Sequence, residues 1–285
     1  MSAPAHRTEP EALRRRRAEL RSAGRGRRWA MLAVTLLLLL LTVLGLWRVE
    51  ATPARLWEGL SRLGFLVGFM WPPTPGGELP RLLYALAETL AIALLGTLAA
   101  ATLAFPLGIL AARNTSPGWL IRWPLRRSMD VLRGVDVLII ALIFISAIGL
   151  GPFAGILAIA VNDTGNFTKL YSESIENARP EPVRGALAAG GNRVEAVRFG
   201  LVPQVLPVML SHVLFLLESN VRSASIIGLV GAGGIGFELS ERIRGNYWDQ
   251  VAFIILMLLV TVYAVDRISH GLRAAIIGGR ENTGT

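Results

Sequence analysis

The chain has 285 residues, of which 53% are hydrophobic, a net charge of +9 and no cysteine. Residues 31–46 form an uncharged apolar run that a soluble domain of this size does not need, so the composition indicates a polytopic membrane protein. The lack of cysteine excludes disulfides and thiolate zinc sites. The basic charge does not indicate nucleic-acid binding, because nine arginines precede the first apolar run and act there as an orientation signal.

The order of apolar and polar segments divides the chain into five parts. Residues 1–28 are predicted to be a cytoplasmic basic tail, and 29–47 a first transmembrane helix that is retained rather than cleaved as a signal peptide. Residues 48–81 form an external loop whose part 56–70 is amphipathic enough for an interfacial helix. Residues 82–273 form the core domain, and 274–285 a second cytoplasmic tail. Six spans are predicted, at 29–47, 82–112, 131–150, 152–170, 205–228 and 251–270.

The distribution of basic residues predicts the orientation in the membrane. With the amino terminus in the cytoplasm, 21 basic residues lie on the cytoplasmic side and six on the external side. This asymmetry follows the positive-inside rule, so we expect both termini in the cytoplasm.

The loop 171–203 is the longest cytoplasmic stretch between predicted spans. Proline at 180 and 182 breaks its helical pattern, a short helix is predicted from Val183 to Ala189, and Gly190 ends that helix. Asn192 and Glu195 have the spacing of a capping box that starts a further helix. These signals predict a rigid bundle of short helices; an ordinary connector is the alternative.

The spacing within this loop resembles the coupling loop of permease subunits in ABC importers. Gly190 stands thirteen residues before Pro203, with Ala186 and Ala189 as small residues ahead of it. The resemblance implies that the loop forms coupling helices that bind a groove of a cytoplasmic ATPase. The family's acidic position falls on Arg184 and the next on Gly185, so this chain has no carboxylate at the position from which the family's glutamate would form a salt bridge. The implied ATPase-coupling residues are Arg184, Gly185, Ala186, Ala189, Gly190 and Pro203.

Four further segments resemble the permease subunit of phosphonate importers, at 171–176, 199–207, 218–225 and 231–236. The resemblance covers about residues 82–273. Methionine-type permeases share the glycine-rich ending, so that segment does not determine the substrate. This chain also has Asn162 and Asp163 where the phosphonate subfamily has His-Thr. The two departures suggest one member of a heterodimeric permease pair, or a relative with a different substrate.

Polar residues inside the predicted spans are candidates for a translocation pathway, because buried charges in a membrane are costly and usually line a water path or pair with each other. Glu218 and Arg222 stand four residues apart, so a structural ion pair is an alternative for them. Loop capping is the alternative for the residues of the fourth span. The candidate pathway residues are Asn162, Asp163, Thr164, Glu218, Asn220, Arg222 and Ser223.

The segment 231–236 satisfies the G-x-G-x-x-G pattern of dinucleotide-binding turns. That interpretation fails on context, because an apolar span follows and no β-α-β unit is predicted. Gly231, Gly233, Gly234 and Gly236 are instead predicted to form a gate hinge at the external end of the fifth span, and close packing of helices is the alternative.

Taken with these residues, the resemblance implies an all-α membrane protein with six transmembrane helices and the type I ABC importer permease fold. The implied function is translocation of phosphonate-like anions; methionine, phosphite or phosphate-like solutes and a secondary transporter are alternatives. The chain has no P-loop motif, so it is not expected to be an enzyme or to bind a cofactor. The implied partners are two cytoplasmic ATPases that bind ATP and Mg²⁺, a second permease subunit (the same or a paralogue), an external substrate-binding protein and the lipid bilayer. The resemblance also implies a location in the inner or plasma membrane of a prokaryotic cell.

Overall fold

The computed structural model describes residues 11–50 and 52–278, with side chains within 29–50 and 52–276. Every regular element of this described part is helical. The all-α class predicted from the sequence is confirmed there. The chain divides into two compact units, of which the first ends at Gly68 and the second begins at Phe69. The predicted tails 1–28 and 274–285 lie partly outside the described residues.

The first unit contains helix α1 (Glu11–Arg48) and helix α2 (Pro53–Phe69), which ends at the unit boundary. Within α1, the part Trp29–Arg48 has a mean hydropathy of 2.5 and is long enough to cross a membrane. Its apolar side chains are exposed all around the helix, as expected of a helix whose surface is covered by lipid. Helix α2 forms where the interfacial helix 56–70 is predicted.

The second unit contains the helices on which the candidate site is built. They are α3 (Leu79–Ala111), α4 (Trp119–Leu132), α5 (Val137–Ile148), α6 (Pro152–Glu176), α7 (Pro180–Ala188), α8 (Arg193–Glu195), α9 (Val202–Ile227), α10 (Gly234–Arg244) and α11 (Trp248–Gly278). Two π-helical segments, Ala196–Leu201 and Gly228–Ala232, precede and follow α9.

The membrane-spanning capacity of these helices agrees with a multi-pass protein. Within the described residues, four segments are long and apolar enough to cross a membrane: Trp29–Arg48, Leu79–Ala111, Arg193–Ala232 and Trp248–Ile276. Helices α4 and α5 make a fifth if they are counted as one broken span. The remaining predicted span, 152–170, falls on α6, whose 25 residues measure about 37 Å. Polar residues lower the mean hydropathy of α6. With α6 added to the four apolar segments and the broken span, the architecture is consistent with six spans.

The predicted span 131–150 is wrong as a single straight helix. Helices α4 and α5 meet at an angle of 86° across a short break after Leu132. Asp136 causes α5 to begin anew, because its side chain caps that helix by accepting a hydrogen bond from the backbone N–H of Leu138 at 2.8 Å. The described α5 therefore has only 12 residues, and it is long enough for a crossing only if α4 is counted with it.

Helices α3, α6 and α9 form the centre of the second unit. Two glycines of α3 allow α6 to approach closely: a Cβ added at Gly96 would lie 2.8 Å from the Cβ of Ile159, and one at Gly108 would lie 2.7 Å from that of Tyr171. Around these contacts the buried apolar side chains form two core clusters, one containing Ile92 and the other Phe167. This close packing fixes the positions of α6 and α9, which carry the candidate pathway residues.

The loop 171–203 is a folded unit whose first residues extend α6 to Glu176. Helix α7 begins at Pro180 rather than at the predicted Val183, since proline suits the first position of a helix. Gly190, with φ of 90°, ends the turn after α7. The predicted capping box is confirmed, because Asn192 and Glu195 each accept a hydrogen bond from the backbone N–H of the other.

Candidate functional site

The loop presents an apolar surface at one end of the second unit. Leu187, Val194 and Phe199 are 45%, 75% and 65% exposed, although each is a large apolar side chain outside the central core. The π-helical segment after α8 packs tightly against α7, since a Cβ at Gly200 would lie 2.8 Å from the Cα of Val183. An exposed apolar surface on a tightly packed base is typical of a surface that binds another protein.

The six predicted coupling residues are distributed over this loop. Arg184, Gly185 and Ala186 lie on α7, Ala189 and Gly190 follow its end, and Pro203 lies in the first turn of α9. Arg184 and Leu187 line a surface cavity of about 390 Å³ together with residues of the loop before α4. The guanidinium of Arg184 is therefore at a surface.

A buried polar network joins α3, α6 and α9. The side-chain amide of Asn220 donates to the carboxylate of Asp163 at 2.5 Å and to the hydroxyl of Thr97 at 2.8 Å. Asn166 donates to the other carboxylate oxygen of Asp163 at 3.0 Å. Asp163 is only 4% exposed, so these donors replace the water that a carboxylate otherwise requires.

Two other pathway candidates on α6 satisfy their polar groups within the protein. Asn162 donates to the carbonyl of Val135 at 2.8 Å, in the break between α4 and α5. Thr164 donates to the carbonyl of Ala160 at 2.7 Å, within its own helix. In this conformation Asn162 joins α6 to the break between α4 and α5, whereas Thr164 bonds only its own helix.

We expect the variant Asn220→Leu to destabilise the second unit by about 1–3 kcal/mol, because the buried carboxylate of Asp163 loses a donor that water cannot replace. The measurement is the melting temperature of the detergent-solubilised protein. The double variant Asn220→Leu/Asp163→Leu, in which the carboxylate is removed as well, should recover part of the loss. Equal melting of the single variant and the wild type would contradict a network of this strength.

The pair Glu218 and Arg222 lies on a different face of α9 from Asn220. The guanidinium of Arg222 is 3.4 Å from the Glu218 carboxylate, which is also 3.4 Å from the guanidinium of Arg273 on α11. Arg222 is 51% exposed, whereas Glu218 is 16% exposed. The Glu218 carboxylate thus pairs with two arginines. Of these, Arg222, which lies next to the half-buried Ser223, remains accessible to solvent.

A cavity of about 840 Å³ opens between α6 and α9 at the loop end of the unit. Its lining includes Glu173, Arg179 and Gln204, and His212 lies 3.4 Å from the hydroxyl of Ser174. His212 lies ten residues before Arg222 on α9, which separates them by about 15 Å along the helix axis. Sequence reasoning missed this cavity, because its two walls are far apart in the chain.

The glycine segment 231–236 is a tightly packed turn between α9 and α10. Gly231, Gly233 and Gly234 have φ of 107°, 81° and 69°, a conformation that favours glycine. The N–H groups of Gly234 and Ile235 donate to the side chains of Glu88 and Thr89 of α3, at 3.1 and 2.8 Å. The residues before the turn are helical, so no strand precedes it as a dinucleotide fold requires.

A second ion network, which sequence reasoning missed, fastens α10 to α3. Arg242 is 6% exposed and makes ion pairs with Glu238 and, at 2.5 Å, with Glu78. Arg81 approaches Glu238 at 2.9 Å from the same side. Two local spacings belong to this network: Glu238 and Arg242 are four residues apart on α10, and Glu78 and Arg81 are three residues apart, with an ion pair at 3.5 Å.

Residues 104–277 match the family described as binding-protein-dependent transport system inner membrane component. The chain is 37% identical over 226 residues to HtxC of Stutzerimonas stutzeri, assigned as a phosphite transport system permease, covering 78% of this chain and 79% of HtxC. It is 38% identical over 193 residues to the phosphate-import permease PhnE of Mycolicibacterium smegmatis, covering 68% of this chain and 36% of PhnE.

A further relative is PhnE2 of Escherichia coli K12, assigned as a permease of a cryptic phosphonate transport system. It is 44% identical over 121 residues, which cover 42% of this chain and 99% of PhnE2. Among solved structures, an inward-facing conformation of the MetNI methionine ABC transporter aligns with a TM-score of 0.61 and 19% identity. It covers 68% of this chain and 95% of the matched one. The structural likeness confirms the predicted type I importer permease fold. The chain therefore belongs to the family of inner membrane components of binding-protein-dependent transport systems, and it is a transport permease rather than an enzyme.

Proposed function

We propose that this chain is the membrane-spanning subunit of an ATP-driven importer of phosphonate-like oxyanions. The observation that carries the proposal is the folded loop 171–203, which presents exposed apolar side chains at the end of the helix bundle. Relatives named for phosphite, phosphate and phosphonate transport support a tetrahedral phosphorus oxyanion as the substrate class. Phosphonate is our choice within that class, and phosphite or phosphate are the alternatives.

The proposed assembly contains two cytoplasmic ATPases, a second permease subunit and an external binding protein that delivers the substrate. ATP and Mg²⁺ bind to the ATPases, and this chain holds no cofactor. Both termini lie in the cytoplasm, as the basic residues indicate. Arg184 at the acidic position of the coupling loop, together with Asn162 and Asp163 in α6, supports pairing with a paralogous permease that retains the family pattern.

In the proposed mechanism, closure of the ATPases moves the loop as a lever on α6 and α9, because the loop continues α6 at its start and runs directly into α9 at its end. Arg222 and Ser223 attract the oxyanion along the accessible face of α9, and Glu218 weakens this attraction so that the substrate is released. The cavity beside His212 is the cytoplasmic exit. The glycine turn 231–236 is the proposed hinge of an external gate, anchored to α3 through Glu88 and Thr89.

We expect purification of this chain from native membranes in mild detergent to recover a P-loop ATPase, identified by mass spectrometry. The variant Val194→Asp should lose the ATPase, because a charge replaces an apolar side chain that is 75% exposed on the coupling loop. Val49→Asp is the matched control, since Val49 is also 75% exposed but lies after α1, on the proposed external side.

Each outcome of this experiment has a distinct meaning. Recovery of the ATPase with wild type and Val49→Asp, but not with Val194→Asp, supports the coupling surface. A second permease in the same sample supports the heterodimer. No ATPase with the wild type, under conditions that keep a control importer assembled, would contradict the proposal and favour a secondary transporter.

A further inference from the structure

Four arginines surround one end of α4, on the surface of the second unit. With Trp119 and Trp123 they line a surface cavity of about 150 Å³. We call them the α4 arginine cluster: Arg113, Arg122, Arg126 and Arg127. None of them belongs to the coupling surface or to the candidate pathway described above.

Two of these arginines are neutralised by carboxylates. Arg126 forms an ion pair with Glu176 and donates to the carbonyl of Ala111 at 2.8 Å. Arg127 lies 3.3 Å from Asp130.

The other two are not neutralised. Within the described part of the chain, the guanidinium groups of Arg113 and Arg122 have no carboxylate within ion-pair distance. Only the backbone N–H of Arg113 contacts Glu176. The cluster therefore retains an excess of about two positive charges at one place.

The cluster lies at the end of the helix bundle. Arg126 contacts the last residues of α3 and α6, which places the cluster at the same end as α7. Beside it, Trp119, Leu120 and Trp123 are 62%, 79% and 53% exposed. Tryptophan with an apolar ring and a polar N–H is typical of the boundary between lipid tails and headgroups.

We infer that the α4 arginine cluster binds the phosphate of an anionic phospholipid headgroup. Arg113 and Arg122 supply the uncompensated charge and the planar donors that suit phosphate oxygens. Trp119, Leu120 and Trp123 contact the glycerol and acyl region of the same lipid. These exposed apolar side chains favour a lipid over free phosphate, which would leave them uncovered. The inference rests on the membrane location of the family and not on the proposed substrate.

Native mass spectrometry of the purified transporter complex, titrated with dioleoyl phosphatidylglycerol or dioleoyl phosphatidylcholine, tests this site. We expect the wild type to bind phosphatidylglycerol about tenfold more tightly, and Arg113→Gln/Arg122→Gln to remove that preference. Arg113→Lys/Arg122→Lys, which keeps both charges, should retain most of it. Arg55→Gln/Arg62→Gln on α2 is the control with the same loss of charge, and its preference should equal that of the wild type.

Three results would overturn the inference: an unchanged preference in the double glutamine variant, equal binding of both lipids by the wild type, or displacement of phosphatidylglycerol by millimolar inorganic phosphate. The last result would indicate a free-anion site instead of a lipid site. If the double glutamine variant does not assemble, Arg122→Gln alone and the double lysine variant test the site. Arg122→Gln should lower the preference for phosphatidylglycerol about threefold, and the double lysine variant should lower it little.

Discussion

Gly236→Ala is expected to prevent assembly of a stable protein, or to lower its stability by about 3 kcal/mol or more. A Cβ at this position would collide with the carbonyl oxygen of Ser225 and would lie 3.0 Å from the Cα of Gly228 and from the backbone N of Leu229. All three neighbours are backbone atoms of the turn between α9 and α10, so no side chain can rotate to make room. The measurement is the yield and melting temperature of the detergent-solubilised protein.

The matched control is Gly271→Ala in α11. A Cβ at Gly271 has no heavy atom within 4 Å, and alanine favours a helix more than glycine does. Its melting temperature should equal or slightly exceed that of the wild type. If Gly236→Ala melted at the wild-type temperature, the turn would be free to open locally, and close packing would no longer explain its glycines.

Arg242→Met is expected to destabilise the second unit by about 3–5 kcal/mol, because it removes one partner of a buried charge network. The Arg242 side chain is 7% exposed, and that of its partner Glu238 is 8% exposed. Without the guanidinium, the carboxylate of Glu238 keeps only the ion pair with Arg81 and is left in a region with little water. Thermal unfolding of the solubilised protein measures this effect.

Two further variants separate the effect of burial on stability from the effect of removing a charge. Arg242→Met/Glu238→Gln should recover part of the stability, because the second change removes the uncompensated charge. Arg62→Met breaks an ion pair with Glu58 whose side chains are 77% and 62% exposed, and its effect should stay below about 1 kcal/mol. Similar losses for Arg62→Met and Arg242→Met would mean that the buried network contributes no more than a surface pair.

The sequence predicted well wherever the signal was local. The apolar run before Trp47 indicated the first span, and the Asn192–Glu195 spacing indicated the capping box that the structure contains. Gly190 marked the end of the helix at α7 because a positive φ favours glycine. The spacing from Gly190 to Pro203 carried the resemblance to importer permeases. All these features depend on residues that lie close together in the chain.

The bend between α4 and α5 shows where apolar pattern alone was misleading. The run after Val137 is apolar enough to extend the preceding helix, so hydropathy predicts one span. The capping side chain of Asp136 and the contact of Val135 with Asn162 on α6 instead end one helix and start another. A pattern of apolar residues predicts how long an apolar segment is. The direction in which the segment runs depends on the hydrogen bonds that its polar groups form with other parts of the fold.

By itself, the sequence determined the class of this protein, its family, the position of its loop and the residues that are polar within the membrane. Only the tertiary structure decided what those polar residues contact. Asp163 and Asn220 are 57 residues apart in the chain, and Glu78 and Arg242 are 164 residues apart, yet each pair is in hydrogen-bond contact. The packing of α3, α6, α9 and α10 determines these partners. A buried polar group requires a hydrogen bond, and the tertiary structure determines which donors and acceptors lie close enough to form one.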